Sequence, residues 1–173
     1  MYNFLNLDEK TRELMISEIN WAIKNNELYY STRFIDGQKE KWQQLLLEAA
    51  KNHNEHWLAF QIENNSMLKD FEEAEKPKGG YTIKHVPNTA SETLASGQFN
   101  RYYILGLAQR AVLENKNALE VYRAKDSQEQ RDGSEALIGR TFNPAELIEQ
   151  LRTTQASFKS ELAKPNSGIS VKL

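Results

Sequence analysis

Apolar residues recur at helical spacing through most of the first half of the chain. Asp8 is a favourable N-cap, and the pattern after it predicts a helix over 9–25. The same spacing predicts helices over 38–52 and 55–64. The strongly acidic segment 67–74 is expected to add a short turn of helix.

The second half contains the most apolar helix of the chain. Residues 98–115 are apolar on nearly every turn, which places this helix at the centre of the predicted fold. Gly97 is expected to interrupt the helical pattern, so that a shorter helix ends near residue 96. Asn143 followed by Pro144 is a well-formed helix start and predicts a helix over 144–153.

Short stretches of alternating or β-prone residues indicate a small β element. These are 28–35, 81–86 and 119–124, and the second of them is either a strand or an extended arm. The expected fold class is therefore mainly α (α+β), with a helical core, a small β element and an extended C-terminal tail.

The C-terminal tail, 164–173, combines a helix-stopping turn with a strand-like stripe. Pro165 begins the turn, and Ile169, Val171 and Leu173 alternate after it. Because chain ends fray unless something holds them, such a tail is expected to dock, either on its own sheet or on a neighbouring molecule. Docking on a neighbour predicts that a chain lacking 165–173 still folds.

Composition and turn residues suggest one folded domain with four parts: an acidic helical part, 1–75; a linker or extended arm, 76–87; a part with the central and C-terminal helices, 88–163; and the tail, 164–173. Residues 1–75 hold 8 Lys/Arg against 14 Asp/Glu, whereas 76–173 hold 14 against 10. The acidic segment of one copy and the basic segment of another can attract each other, which would orient contacts between copies. The mixed-charge segment 125–134 is expected to be a polar loop.

Few kinds of catalytic chemistry have a signature in this chain. It contains no cysteine, which excludes disulfides and thiolate sites and fits the cytosol or a particle assembled there. Its first residues lack the features of a signal peptide, and no apolar run is long enough for a membrane span. His53 and His56 lack a clear third ligand, so neither a metal nor another cofactor is expected.

Two segments place arginine beside tyrosine. Arg101 and Tyr102 lie in the central helix, and Arg123 lies in the 119–124 strand. These three residues are candidates for a ligand pocket. Alternatively, the arginines pair with carboxylates such as Glu92 or Glu120, or they contact nucleic acid, although the chain has no dense basic stripe for that purpose.

Four stretches together carry a family resemblance: KPKGGYT at 76–82, GQFNRYYI at 97–104, VYRAK at 121–125 and PNSGISV at 165–171. The chain resembles a family of uncharacterised bacterial and phage-associated proteins. In size, helix content and terminal tail it is also similar to the head–tail connector (adaptor) proteins of tailed phages, which are ring subunits that dock on a portal.

This architectural likeness predicts a non-catalytic assembly subunit, such as a phage neck or connector component, in a virion or in the cytoplasm. Its expected partners are copies of itself in a ring and a portal or tail-type protein. Tyr81 and Ile83 in the arm and Ile169, Val171 and Leu173 in the tail are the candidate partner-binding residues. The alternatives are a small cytoplasmic inhibitor-type protein, whose tail folds back on the 119–124 strand, and an enzyme with an Arg/Tyr pocket.

Overall fold

The computed structural model describes residues 1–126 and 132–173, so part of the predicted polar loop lies outside the described residues. Within them the fold is mainly α (α+β), as the sequence predicts. Its helices are α1 (Glu9–Lys24), α2 (Lys39–Asn52), α3 (Glu55–Asn64), α4 (Ala90–Leu113), α5 (Asp132–Glu135), α6 (Pro144–Arg152) and α7 (Thr154–Lys159). Its strands are β1 (Phe71–Glu75), β2 (Tyr81–His85), β3 (Leu119–Arg123), β4 (Thr141–Phe142) and β5 (Ile169–Lys172).

Helix α4 forms the centre of the structure. Sixteen of its 24 residues are buried, including every residue from Phe99 to Ala108. A helix that is apolar around its whole circumference has to be covered on every side. Helices α1, α3 and α6 pack around it, and β5 and a short 3-10 turn at Glu161–Ala163 also contact it. No helix in the described part of the chain is long and apolar enough to cross a membrane.

The predicted break at Gly97 is wrong, because α4 runs through this residue without interruption. A glycine inside a helix costs roughly 0.5–1 kcal/mol relative to alanine. That cost is smaller than the gain from burying the apolar turns on both sides of Gly97. Its nearest neighbour beyond the helix is Pro165, and a Cβ added at Gly97 would lie 3.9 Å from that residue.

A second glycine, Gly106, permits the close crossing of α1 and α4. A Cβ at this position would lie 2.8 Å from both the backbone nitrogen and Cγ of Met15, and 3.0 Å from the carbonyl oxygen of Thr11. Real Cβ atoms do not approach backbone this closely, so the packing of α1 against α4 requires glycine here.

The predicted helix starts are confirmed. The side chain of Asp8 accepts a hydrogen bond from the amide of Thr11, which caps α1. Asn143 caps α6 in the same way and is followed by Pro144 at the first helical position.

Residues 67–74 do not form the predicted acidic turn of helix. Phe71–Glu75 is instead strand β1, which pairs antiparallel with β2 as a hairpin. The turn contains Gly79 and Gly80, both with positive φ. The boundary predicted between the acidic part, 1–75, and the arm, 76–87, therefore falls at the turn of this hairpin. Segment 28–35 forms a connection with a single bridge, from Phe34 to Leu68.

The C-terminal tail docks on its own chain. Strand β5 pairs antiparallel with β3, which lies between β4 and β5 in a three-stranded sheet. Ile169 and Val171 are fully buried in the core, and their expected exposure to a partner is therefore not found. Asn100 in α4 also holds the tail, because its amide donates to the carbonyl of Ile169 and its Oδ1 accepts from Ser170 Oγ.

Gly106→Ala is expected to destabilise the protein by about 1–3 kcal/mol, because the added methyl group overlaps α1. Gly97→Ala in the same helix is the matched control. It meets no close contact and should leave stability unchanged or raise it by up to about 1 kcal/mol. Chemical denaturation of both variants measures the difference, and equal stabilities would contradict the proposed role of Gly106.

Ile169→Ala is expected to cost about 2–5 kcal/mol, the usual cost of removing a buried isoleucine side chain. Leu173→Ala is the control, because Leu173 is 39% exposed. Removal of 165–173 is expected to unfold the chain rather than leave it intact. Circular dichroism during urea denaturation tests all three, and a stable helical truncated chain would show that the tail is dispensable.

Candidate functional site

The β1–β2 hairpin presents a continuous exposed surface. Antiparallel register places alternate residues of the two strands on one side, in the pairs Phe71–His85, Glu73–Ile83 and Glu75–Tyr81. We call this side the hairpin face: Phe71, Glu73, Glu75, Tyr81, Ile83 and His85. All six residues are exposed.

The opposite side of the hairpin attaches it to the body of the protein. Glu72 accepts two hydrogen bonds from Arg33, at 2.6 and 3.0 Å, and its carboxylate also lies 3.3 Å from Lys84 Nζ. Hydrogen bonding to Arg33 is the main reason that the pKa of Glu72 is lowered. This charged contact orients the hairpin so that its other side faces solvent.

The apolar members of the hairpin face are unusually exposed. Phe71 is 52% exposed, Tyr81 66% and Ile83 72%. A cluster of large apolar side chains in solvent is typical of an interaction surface. Sequence alternation identified Tyr81 and Ile83, but it missed Phe71, because the acidic residues around Phe71 suggested a helix.

The tail contributes little to an exposed surface. Ile169 and Val171 face the core, and Leu173 is half-exposed at the end of β5, where its amide donates to Asn6 Oδ1 at 3.1 Å. Of the five predicted partner-binding residues, only Tyr81 and Ile83 lie together in solvent.

Arg101 is buried to 1% exposure without the predicted carboxylate partner. Its Nε and Nη2 donate to the carbonyl oxygens of Leu151 and Arg152, each at 2.8 Å. These carbonyls end α6, where a cation also complements the helix dipole. Burial lowers the pKa of the Arg101 guanidinium. Its Nη1 finds no hydrogen-bond partner among the residues described.

Arg123 is engaged away from Arg101. Its Nη1 donates to the carbonyl of Ser167 at 2.9 Å, and its Nη2 pairs with Glu135. The backbone of Gly168 packs against the same guanidinium, with φ at +67°. Arg123 therefore supports the turn before β5, and it pairs with a carboxylate other than the expected Glu120.

A buried ion pair that the sequence analysis did not identify joins α1 to α6. Glu18, 3% exposed, accepts from Arg152 Nη2 at 2.9 Å and from Arg152 Nε at 3.1 Å. Gln109 of α4 donates to the same carboxylate at 2.8 Å. The Arg152 guanidinium also lies 4.2 Å from the ring centre of Trp21. No local motif indicates this cluster, because its members lie up to 134 residues apart.

Tyr102 and Tyr103 are buried inside the core and are not placed for stacking with nucleic-acid bases. The Tyr103 hydroxyl accepts from the amide of Asn6 at 3.1 Å, whereas the Tyr102 hydroxyl has no partner within the described ranges. Burial raises the pKa of both phenols, to about 12 for Tyr102.

A cavity of about 160 Å³ lies beside Arg101, between α4, α7 and the connection before α2. Arg33 and Gln98 also line it, and Phe158 at its edge makes an edge-to-face contact with Tyr29, with ring centres 5.4 Å apart. The Gln98 side-chain oxygen is buried and has no partner in the described part of the chain. The cavity thus contains Arg101 of the predicted pocket but not Arg123.

The histidines do not form a metal centre. His53 stacks on Trp57, with ring centres 4.2 Å apart, and lies 3.5 Å from Glu48. Across residues 1–126 and 132–173, no group of three or more His, Asp or Glu side chains is arranged to hold a metal ion.

Comparisons with protein-family models, curated proteins and solved structures found no significant match to this chain. The hairpin face and the Arg101 cavity are the two candidate sites of the described structure.

Tyr102→Phe is expected to stabilise the protein by about 1 kcal/mol at neutral pH, because it removes a buried hydroxyl without a partner. Tyr103→Phe is the control and should destabilise, since it removes an acceptor used by Asn6. Urea denaturation at neutral pH distinguishes the two, and a less stable Tyr102→Phe variant would reveal an unrecognised partner of the hydroxyl.

The raised pKa of Tyr102 predicts that the folded protein loses stability at alkaline pH. The unfolded chain releases the Tyr102 proton near pH 10, but the folded chain holds it to about pH 12. Stability from this group is therefore complete below pH 10 and falls by roughly 2 kcal/mol as the pH rises to 12. Tyr102→Phe should show a smaller fall in an alkaline denaturation series.

Proposed function

We propose that this protein is a non-catalytic assembly subunit that binds a neighbouring copy of itself through the hairpin face. The observation that carries the proposal is the joint exposure of Phe71, Tyr81 and Ile83 on one side of a projecting hairpin.

A two-stranded hairpin is only marginally stable in water on its own. Here its inner side is held to the body by the contact of Glu72 with Arg33, and its outer side leaves Phe71, Tyr81 and Ile83 more than half exposed. Burial of three large apolar side chains by a partner would stabilise the hairpin and supply binding energy. Its unpaired strand edges would add backbone hydrogen bonds by strand addition.

A second copy of the chain is the favoured partner because of the distribution of charge. Glu73 and Glu75 lie among the apolar residues of the hairpin face, and the segment 76–173 carries a net positive charge. In this proposal the hairpin face of one copy meets positively charged residues from the segment 76–173 of the next. Such a contact is head-to-tail, and head-to-tail contacts close into rings when the rotation permits.

The architectural likeness extends this proposal to a ring subunit of a phage neck or connector, with a portal or tail-type protein as a further partner. In that role the hairpin, rather than the tail, contacts the neighbouring molecule. The likeness was drawn on size, helix content and the terminal tail, and the tail is packed against its own chain. Size and helix content alone do not establish a role.

A second candidate is a monomeric inhibitor-type protein that uses the hairpin face to bind a different protein. One observation favours it: the tail folds back on β3, as that interpretation predicts. The two candidates differ in oligomeric state and share the same binding surface.

Light scattering across a concentration series measures the mass of the wild-type protein and of a Tyr81→Ser, Ile83→Ser double variant. We expect a closed oligomer for the wild type and a shift to monomer in the variant, because the apolar contact is lost. Phe60→Ser with Leu113→Ser is the matched control, since both residues are more than half exposed but lie outside the hairpin. This control should keep the wild-type mass.

A wild-type protein that remains monomeric at every concentration would overturn self-assembly and leave the inhibitor-type candidate. An oligomer that survives the hairpin substitutions would place the interface elsewhere on the molecule.

A further inference from the structure

We propose that the outer edge of strand β2 pairs with the same edge of a second copy, so that two hairpins form one four-stranded antiparallel sheet. The open edge of β2 and the self-complementary sequence along it, YTIKH, carry the inference. This two-fold contact through backbone groups is additional to the assembly proposed above, which uses the side chains of the hairpin face.

Strand β2 has a neighbouring strand on one side only. Its sheet has two strands in the described structure, and β2 pairs there with β1 alone. All five residues of β2 are exposed. An exposed edge strand is a template for another strand unless a proline, a bulge or an inward charge protects it. β2 contains no proline, and its pairing with β1 runs without a break in register.

Hydrogen bonding inside the hairpin decides which backbone groups of β2 face outward. The amide of Val86 donates to the carbonyl of Asp70, the residue opposite it just beyond the strand, at 3.0 Å. Because hydrogen-bonded pairs alternate along an antiparallel ladder, only the even-numbered residues of β2 bond to β1. The N–H and C=O groups of Tyr81, Ile83 and His85 therefore point away from β1, toward the open edge.

One register brings all three outward residues of both copies together. A two-fold axis at Ile83 places this residue opposite itself, and it places Tyr81 of each copy opposite His85 of the other. Each of these three pairs exchanges two backbone hydrogen bonds, so the contact contains about six. A slip of two residues leaves about two such pairs within β2.

The same register places compatible side chains opposite each other. On the side of the hairpin face, the two Ile83 side chains meet at the axis, and each Tyr81 lies beside a His85 ring. On the other side, Thr82 of one copy is opposite Lys84 of the second. No two like charges therefore face each other directly across the contact.

The outer edge of β1 lacks this self-complementarity. The chain just before β1 is already paired on that edge, because the amide of Lys69 donates to the carbonyl of Arg33 at 2.8 Å. Farther along, pairing of β1 with itself about its centre places Glu73 opposite Glu73, and like charges directly opposite are destabilising. Of the two edges, β2 is therefore the one that suits a second copy.

The base of the hairpin carries charge opposite to that of the turn. Continued past the ends of β2, the register brings the turn, 76–80, of one copy beside residues 86–88 of the other. The turn contains two lysines and no acidic residue. Residues 86–88 line a cleft of about 690 Å³ with Glu63, Asp70 and Lys69, in which carboxylates outnumber the lysine. Attraction between turn and cleft would favour this orientation of the two copies.

Edge pairing leaves the hairpin face available. Directly opposite residues in a sheet point to the same side, so both hairpin faces lie on one side of the four-stranded sheet. Phe71, Tyr81 and Ile83 of the two copies then form one larger exposed apolar surface. A head-to-tail contact through that surface and the edge contact can each occur without the other.

Amide hydrogen exchange of the ¹⁵N-labelled full chain, followed by NMR across a concentration series at constant pH, tests the edge contact. Exchange at Tyr81, Ile83 and His85 should slow by roughly tenfold once about nine-tenths of the chains are paired. The amides of Glu73 and Glu75, on the outer edge of β1, are the control and should exchange at an unchanged rate. Equal slowing on both edges, or no change on either, would overturn the proposal.

Single cysteines test the register, since the chain contains no cysteine of its own. Ile83→Cys lies on the two-fold axis, where opposite Cα atoms are about 5.5 Å apart, within the range of a disulfide. Oxidation should therefore link two Ile83→Cys chains. Tyr81→Cys should not link to itself, because the two copies of this residue lie ~14 Å apart along the strands, but it should link to His85→Cys in a mixture. Mass spectrometry of the unreduced protein measures each product.

Glu73→Cys is the matched control, because Glu73 is exposed on the same hairpin face but belongs to β1. A yield of linked Ile83→Cys dimer no higher than that of Glu73→Cys would refute the two-fold register. If light scattering then still shows an oligomer, assembly through the hairpin face stands without the edge contact. A wild-type protein that is monomeric at every concentration, with no linked Ile83→Cys dimer, would overturn both.

Discussion

Helix α4 exposes almost no surface between Phe99 and Ala108, so every element around it has to present a complementary face. Helices α1, α3 and α6 and strand β5 meet this constraint from different directions. The closest approach is at Gly106, where the absence of a side chain lets α1 cross. Because a close-packed interior cannot absorb even one added methyl group cheaply, this crossing fixes the positions of the surrounding helices.

The polar residues of α4 bind the later parts of the chain to this centre. Arg101 holds the carboxyl end of α6, and Asn100 holds the backbone of β5. Glu18 and Arg152 add a buried ion pair between α1 and α6, in contact with Gln109. Buried polar groups are costly unless paired, so these contacts permit one arrangement of the chain and disfavour alternatives in which a charge is left without a partner. The tail is thereby part of the core rather than a free arm.

The two candidate sites differ in how they depend on this core. The hairpin face projects from it and is attached mainly through Glu72 and Arg33, so the hairpin can contact another molecule without disturbing α4. At the Arg101 cavity the packing around α4 instead leaves space, and Arg101 and Gln98, which line it, each have one buried polar atom without a partner in the described structure.

The amino-acid sequence by itself determined the mainly helical class, the helix caps at Asp8 and Asn143 and the strand at 119–123. For 81–86 it left a strand and an extended arm open, and the structure forms the strand 81–85, on which Tyr81 and Ile83 are exposed. These features depend on local spacing and turn chemistry, which a sequence displays directly. Tertiary structure alone decided that Gly97 stays helical, that 71–75 pairs as a strand, that the tail enters its own core and that Arg101 lines a cavity with Arg33 but not with Arg123. The strand at 71–75 depends on pairing across a local hairpin turn, and the other outcomes depend on contacts between residues distant in sequence. In each case burial and pairing energies outweigh local conformational preference.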